Sequence, residues 1–385
     1  MSLEIPDVER LRKRRNRKWR DYPPDVLPAW IADMDFPVAA PIRALLAERV
    51  EDSDFGYAPM PPVGPLNAAL AGWMERRHGW SPDCNRVELL TDIIQGVYIA
   101  FETLGERGQG TWLQTPAYPP LLVAAEQTGR TAIPDTLVPT DTGYAVDFDA
   151  LERSLPDHAR FLLLCNPHNP TGRVYTRPEL ERLAEIALRR DLVILSDEVH
   201  ADLVYPNHHH LPVASLAPEV AARTVTFTSA TKAFNIAGLR CAFAIFGSEV
   251  LHRRFNEFPR RLRGGLNAFG AEATRVAWTD CDDWLEAVFA QLKENRQFVE
   301  EFIAERLPGV VYRPPQATYF AWIDCRALAL GEEPYDFFLR EARVALMPGP
   351  EFGPGGAGWT RINFATSREI LAEILERMAG ALARR

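Results

Sequence analysis

The chain reads as an α/β protein built on a mostly parallel sheet, with a second, smaller domain toward its C-terminal end. Three observations predict this. Phe161-Leu162-Leu163-Leu164-Cys165 and Leu192-Val193-Ile194-Leu195 are unbroken apolar runs without alternation, the pattern of parallel strands buried on both faces. Between them Thr176-Arg177-Pro178-Glu179 has the form of a capping box and opens a helix ending near Arg190, so the three pieces make a β-α-β crossover. A length of 385 residues exceeds one ordinary core and predicts two domains of about 100–200 residues each.

Composition narrows the function classes. The chain is 47% hydrophobic and 25% charged, as ordinary soluble globular proteins are. No apolar run approaches a membrane span, and no basic–apolar–small leader opens the sequence. A net charge of −9 argues against nucleic acid as the main partner. Cys84, Cys165, Cys241, Cys281 and Cys325 lie far apart with no Cys-x-x-Cys pair, which reads as reduced thiols in a cytoplasmic protein. The basic run from Arg10 to Arg20 is either a phosphate-binding arm or a structural element, a solvated helix face or an arm packed on a partner, and the structural reading is favoured.

Taken in order, Trp30-Ile31-Ala32-Asp33-Met34-Asp35-Phe36-Pro37 is irregular and turn-rich. Phe55-Gly56-Tyr57 precedes the proline-rich Ala58-Pro59-Met60-Pro61-Pro62, a setting that presents the Tyr57 hydroxyl outward. Leu66 to Trp80 predicts a helix. Val87 to Asp92 then leads to Gln95-Gly96-Val97, where helical spacing running to Leu104 opens at a glycine. Unpaired N–H groups at such a helix start cradle phosphate; no GxGxxG is present, so a dinucleotide site is not indicated. Trp112 to Thr115 is a short strand ending in a proline-braced loop that holds Tyr118, whose ring either stacks on a ligand or packs.

The informative residues of the crossover fall at the carboxyl ends of its strands, where such sheets bind ligands. The first ends in Asn166-Pro167-His168-Asn169-Pro170-Thr171-Gly172, with His168 read as a loop residue. The second ends in Ser196-Asp197-Glu198-Val199-His200-Ala201-Asp202. An acid directly after a buried strand needs a cationic partner or several donors, which singles out Asp197. Glu198 and Asp202 read as exposed or structural, and the role of His200 is open. His208-His209-His210 reads as a surface loop, because three consecutive histidines cannot easily face one ion.

Between the strand-like Thr224–Thr228 and Cys241–Phe246 lies Ser229-Ala230-Thr231-Lys232-Ala233-Phe234-Asn235-Ile236-Ala237-Gly238-Leu239-Arg240. Desolvation there pushes the Lys232 amine down in pKa and makes it a nucleophile suited to a Schiff base; the competing reading is a solvated loop lysine. Ser229 and Arg240 can turn back to hold an anion. In the second domain, Leu285, Val288, Leu292, Val299 and Phe302 form a helical stripe within Asp283–Leu307. Ala317–Ile323, Arg343–Met347 and Trp359–Ala365 predict strands, and Thr366-x-x-Glu369 predicts the cap of the last helix. Arg361 sits among apolar neighbours, and a carboxylate is its natural partner, from a ligand or from the protein.

The spacing Ser-x-x-Lys-x-x-x-x-x-Gly-x-Arg at 229–240 resembles the cofactor loop of fold-type I pyridoxal-phosphate enzymes, and residues 166–172 resemble the N-P-x-N-P-T-G motif of class I/II aminotransferases and their lyase relatives. Narrower still, Trp30–Phe36, Lys232–Leu239, the D-E-x-H at Asp197–His200 and Lys18-Trp19 resemble the MalY/PatB branch of cystathionine β-lyases. The resemblance runs from Trp30 to Thr366. It implies a fold-type I transferase fold, with a large domain holding a mostly parallel seven-stranded sheet between helices plus a smaller α+β C-terminal domain. The boundaries expected are 1–44 for an N-terminal arm with part of the small domain, 45–283 and 284–385.

The same resemblance implies pyridoxal 5'-phosphate as cofactor and a site for it. Lys232 is its covalent anchor and the general base, Asp197 the partner of the ring nitrogen, Tyr118 the stacking aromatic, and Asn169 the donor to the phenolic oxygen. Gln95, Gly96, Val97, Ser229 and Arg240 are the implied phosphate holders, joined by Tyr57 of the second subunit in a cytoplasmic homodimer. Arg361 is implied to bind the substrate α-carboxylate, with Asn169, Ala32 and Tyr57 beside it. The implied reaction is α,β-elimination of L-cystathionine or a related cysteine S-conjugate to a thiol, pyruvate and ammonia. A class I/II aminotransferase is the alternative, because the same residues serve both reactions and Arg240 is a residue that many lyases of this branch lack. A cofactor-loaded regulator is a third reading, with no helix-turn-helix to support it.

Overall fold

Seven strands carry the larger sheet, and we number them in chain order: β1 Val87–Leu90, β2 Gly110–Thr115, β3 Thr131–Thr136, β4 Ala159–Cys165, β5 Val193–Asp197, β6 Thr224–Thr228 and β7 Ala242–Phe246. They lie in the order β1-β7-β6-β5-β4-β2-β3. β7 runs antiparallel to both its neighbours, and every other pair is parallel. This is a computed structural model, and it describes residues 3–58, 64–141 and 143–385.

The apolar runs are unbroken because both faces of this sheet are covered. Phe161, Leu163 and Cys165 of β4 enter the core on one face, while Leu162 and Leu164 enter the core on the other. Val193 and Leu195 of β5 divide from Ile194 in the same way. Each such leucine contributes about 1.5–3 kcal/mol by leaving water. The crossover helix Arg177–Arg189 starts as its sequence predicts, with the Thr176 N–H donating to Glu179 Oε2 at 2.8 Å. It lays Leu180, Leu183 and Ala187 on one face of the sheet, and helix Ile93–Leu104 covers the opposite face with Val97, Ala100 and Phe101.

The smaller sheet is antiparallel and consists of β8 Val311–Tyr312, β9 Phe320–Asp324, β10 Met347–Pro348 and β11 Trp359–Asn363, in the order β8-β9-β11-β10. The single strand expected over Arg343–Met347 is divided between two sheets. Val344–Ala345 pairs in parallel with Leu27–Pro28, and only Met347–Pro348 joins β11. The N-terminal segment supplies a second partner, so the chain changes ladder at Leu346. Helix Asp282–Arg306 carries the expected stripe, with Leu285, Val288, Leu292 and Val299 all buried. Asn295 interrupts that stripe and donates to the carbonyls of Phe364 and Thr366 at 2.9 and 2.8 Å, which ties the long helix to the exit of β11. The last helix, Arg368–Ala383, is capped by Ser367, whose Oγ accepts the Ile370 N–H at 3.2 Å, and not by Thr366. With its carbonyl held by Asn295 and its hydroxyl buried, Thr366 stands one residue short of the cap.

The basic run near the N-terminus is structural, and part of it is interior. Lys18 is 1% exposed and its Nζ lies 2.8 Å from Asp35 Oδ2. Trp19 Nε1 donates to the other oxygen of the same carboxylate at 2.8 Å. Lys18 also donates to the Asp33 carbonyl at 3.1 Å. A buried ion pair thus fixes the path of residues 30–36.

Candidate active site

The carboxyl ends of five strands of the large sheet meet along one edge. Leu90, Thr115, Cys165, Asp197 and Thr228 close β1, β2, β4, β5 and β6, and the residues that follow them include Asp92, Tyr118, Asn169, His200 and Lys232. Asp197 stands in the middle, in register with Cys165 on one side and Phe227 on the other.

Lys232 projects from a loop whose small residues pack inward. Ala230, Ala233 and Phe234 are fully buried. Asn235, in the left-handed region at φ 56°, stitches this loop to the N-terminal segment. Its Oδ1 accepts the Met34 N–H at 3.0 Å, and its Nδ2 donates to the carbonyls of Met34 and Phe36. Lys232 Nζ donates to the Ala32 carbonyl at 3.3 Å. Burial pushes this amine below the ordinary lysine range; Asp33 and Asp197 oppose the shift, and Arg361 and Arg240 add to it. The lysine is therefore a poised amine, not a solvated loop residue.

Asp197 is 4% exposed, and burial raises its carboxyl to about 6 against the opposing Val199 N–H and the Lys232 charge. The Val199 N–H, at 3.2 Å from Oδ1, is its one donor among the described residues. This is a poor environment for a lone carboxylate and a good one for an acid facing a protonated ring nitrogen. Asp197 and Lys232, the two residues expected to engage a pyridoxal group, thus lie at and just beyond the ends of adjacent strands.

Arg361 is 2% exposed, and among the described residues it has no carboxylate within ion-pair distance. Nη1 donates to Asn169 Oδ1 at 2.7 Å, Nη2 donates to the Trp30 carbonyl at 3.0 Å, and Nε is buried without a partner. The guanidinium lies 4.0 Å from the ring centroid of Phe320. Burial lowers its pKa to about 10. The alternative of a structural ion pair within the protein is excluded for the described residues, and a ligand carboxylate fits the vacancy in its pairing. By holding Oδ1 of Asn169, Arg361 also fixes which end of that amide is left to donate.

Tyr118 precedes helix Pro119–Gln127 as its N-cap residue. Burial raises its phenol, and the charges of Arg361, Asp197, Asp92 and Arg240 all bear on it, so the ring stands amid the groups named above. Ala32 contributes its carbonyl, which accepts from Lys232 and from the Tyr319 hydroxyl at 3.1 Å.

Several of the expected phosphate holders make contacts of their own in this structure. Helix Ile93–Leu104 begins two residues before Gln95, because Asp92 caps it through the Gln95 N–H at 2.8 Å. The Gly96 N–H goes to the Asp92 carbonyl, and Val97 lies inside the helix. The free first-turn donors are those of Ile93 and Ile94. The Gln95 side chain bridges the Thr91 N–H and the Arg263 carbonyl. Gly96 is required by packing, since a Cβ there would stand 2.5 Å from Leu90 Cδ1 and 2.6 Å from Phe227 Cε1. Ser229 is committed within its loop: its Oγ contacts the Cys241 carbonyl at 2.6 Å and accepts the Thr231 N–H at 3.1 Å. Arg240 reaches the same helix end, where its Nη1 lies 2.6 Å from Asp92 Oδ2. Tyr57 is fully exposed in the single chain, away from these contacts; Pro59, Met60, Pro61 and Pro62 lie outside the described residues.

Behind the site, Glu198 accepts from Ser196 Oγ at 2.8 Å and contacts His210 Nε2 at 2.9 Å. His210 is therefore interior, unlike the surface triplet expected. Asp202 is structural, accepting from Trp73 Nε1 at 2.9 Å. His168 is buried against Thr171 Oγ1 at 2.9 Å. His200 is 2% exposed, with burial and the Lys232 and Arg361 charges holding its pKa at about 3, so it is a neutral imidazole beside the amine. Asp92, Asn235 and Asn363 were missed in the sequence; Asn363 donates to the Ile31 and Asp33 carbonyls, both at 2.7 Å.

Comparison with known proteins identifies the family. Cystathionine beta-lyase PatB of Bacillus subtilis is 35% identical over 361 residues, 93% of each chain. A cystathionine beta-lyase of Corynebacterium glutamicum is 35% identical over 99% of this chain and all of its own. The crystal structure of a putative pyridoxal-phosphate-dependent beta-cystathionase from Corynebacterium diphtheriae superposes with a TM-score of 0.93 at 34% identity, covering 99% of both chains. The family model described as aminotransferase class I and II matches residues 33–378, a span that begins beside the Ala32 carbonyl and contains Lys232, Asp197, Asn169 and Arg361. This chain belongs to that family.

Proposed function

We propose that the protein is a pyridoxal-phosphate-dependent C–S β-lyase acting on L-cystathionine or a related cysteine S-conjugate. The observation that carries this reading is Arg361. It is a buried guanidinium with no carboxylate partner among the described residues, its charge acts on the Lys232 amine, and it suits an α-amino acid's carboxylate. The full-length likeness to cystathionine β-lyases supports elimination over transamination.

The residues present fit the cofactor: an amine of lowered pKa, a buried acid facing it, an amide donor, an aromatic and an anion-holding helix end. When bound, pyridoxal phosphate supplies an aldehyde and an electron-accepting ring. Arg361 and the Trp30 carbonyl fix the orientation of the substrate carboxylate. Lys232, which would anchor the group, would also take the substrate's Cα proton as general base. Asp197 would hold the protonated ring nitrogen and so keep the electron sink effective. The electron pair of the Cβ–S bond leaves with sulfur as a thiolate, and water completes release of pyruvate and ammonia.

The proposed assembly is a homodimer in a reducing compartment, supported by the full exposure of Tyr57 and by five unpaired cysteines. The proposed division at 1–44, 45–283 and 284–385 is supported by the pairing of Leu27–Pro28 with Val344–Ala345.

Purified enzyme given L-cystathionine is expected to release pyruvate and free thiol in equal amounts without any 2-oxo acid. Product that appears only when a 2-oxo acid is added would instead make it an aminotransferase. Lys232→Ala is expected to lose the covalently bound yellow chromophore together with turnover; a chromophore that survives acid precipitation of this variant would refute the anchor.

A further inference from the structure

The start of helix Ile93–Leu104, the expected phosphate end of the site, contains an acid of its own. Asp92 uses Oδ1 to cap helix Ile93–Leu104 through the Gln95 N–H at 2.8 Å, while Oδ2 stands 2.6 Å from Nη1 of Arg240. One carboxylate therefore engages both positive features here, the helix start and the guanidinium. These are the two features a phosphate would use.

Arg240 is set at this place by its backbone. It has φ 51° and ends the short turn Ala237–Leu239. The Leu239 carbonyl accepts from Asn267 Nδ2 at 2.6 Å, and a Cβ on Gly270 would stand 2.1 Å from that same oxygen. The turn cannot shift without disturbing that packing. The pair also belongs to the cleft, since the charges of Asp92 and Arg240 reach the Tyr118 phenol together with those of Asp197 and Arg361.

We propose that Asp92 is a built-in counter-anion that competes with the cofactor's phosphate for Arg240 and for the helix end, and so sets how tightly the cofactor is held. The inference rests on the phosphate lying at this helix end. In the empty enzyme Asp92 satisfies the guanidinium. In the loaded enzyme the phosphate must share or displace that contact, and a dianion then stands beside a carboxylate.

Asn at position 92 preserves the cap, because Asn and Asp cap helices about equally well, and removes the charge. The test measures cofactor dissociation by absorbance and fluorescence on enzyme resolved from its cofactor, with pyridoxal phosphate, pyridoxal and inorganic phosphate as probes. Asp92→Asn is expected to bind pyridoxal phosphate about tenfold more tightly and inorganic phosphate more tightly as well, with pyridoxal unchanged. Arg240→Gln is expected to weaken pyridoxal phosphate and leave pyridoxal unaffected. If Arg240→Gln weakens the phosphorylated probe but Asp92→Asn binds it no better, Asp92 merely orients Arg240 and the proposal is overturned. If Arg240→Gln has no effect on either probe, the phosphate lies elsewhere, and the site placement falls together with the proposal.

Discussion

Asp197 has a folded pKa of about 6 against an ordinary carboxyl value of 3.8, and the sign of the consequence follows directly. Between those values the folded chain holds a proton that the unfolded chain has released. The stability linked to this group is complete below the lower value and is lost as pH rises through the upper one. Between about pH 4.5 and about pH 7.5, the cofactor-free enzyme is expected to lose about 2 kcal/mol relative to Asp197→Asn. Denaturant unfolding of the two proteins at both pH values measures it; parallel curves would mean that Asp197 is ionised in the empty fold. At this scale Asp197 and Arg361 stand out in the sequence as charged residues beside apolar strands, Lys232 as an amine in a small-residue loop between two of them, and Asn169 through its paired Asn-Pro motif. Asp92 was legible in principle, as a capping residue directly before a helical run. The glycine at 96 masks it, because a glycine within the first turn resembles a helix opening although the helix starts at Ile93. Asn235 was not legible, since its partners Met34 and Phe36 lie about two hundred positions away.

Among the elements, the N-terminal segment shows how a basic run can serve the interior. Lys18, Trp19 and Asp35 form a buried triad, and residues 30–36 that depend on it present the Trp30 and Ala32 carbonyls to Arg361 and Lys232. Removing one partner of a buried ion pair leaves the other uncompensated, at a cost of roughly 3–5 kcal/mol. Asp35→Ala is therefore expected to lower the unfolding free energy, read from denaturant titration, by that amount. The paired change Lys18→Met with Asp35→Leu is expected to recover much of the loss, because it leaves no lone charge. Equal losses in the single and double variants would show that hydrogen bonding to Trp19, not charge, holds the segment. Charge counting in the sequence pointed the basic run outward, as it does for most such runs; the one acid that turns Lys18 inward lies seventeen residues later. The crossover was legible by contrast, because its capping box and apolar runs are local signals. The divided strand at Val344–Met347 was not, since its second partner is Leu27–Pro28 at the other end of the chain.

For the whole molecule, the residue expected to reach a second subunit is bare in the single chain. Tyr57, expected at the cofactor phosphate, is fully exposed, and the nearby Phe55 is 64% exposed. An apolar pair bared on one segment suits a surface that another copy covers. If Tyr57 completes the neighbour's site, its loss and the loss of Lys232 must complement each other across the interface. Lys232→Ala and Tyr57→Ala chains, mixed and refolded together, form hybrids in which one site pairs an intact lysine with an intact tyrosine. Random assortment makes half the dimers hybrid with one working site in two, so about a quarter of wild-type activity is expected from a mixture whose parents are both nearly inactive. Had Tyr57 acted within its own chain, every hybrid site would lack one of the two residues, and mixing would yield no more than the average of the parents. Size-exclusion of the same mixtures separates this outcome from failed assembly, because complementation requires that the hybrid elute as a dimer while each parent does so alone.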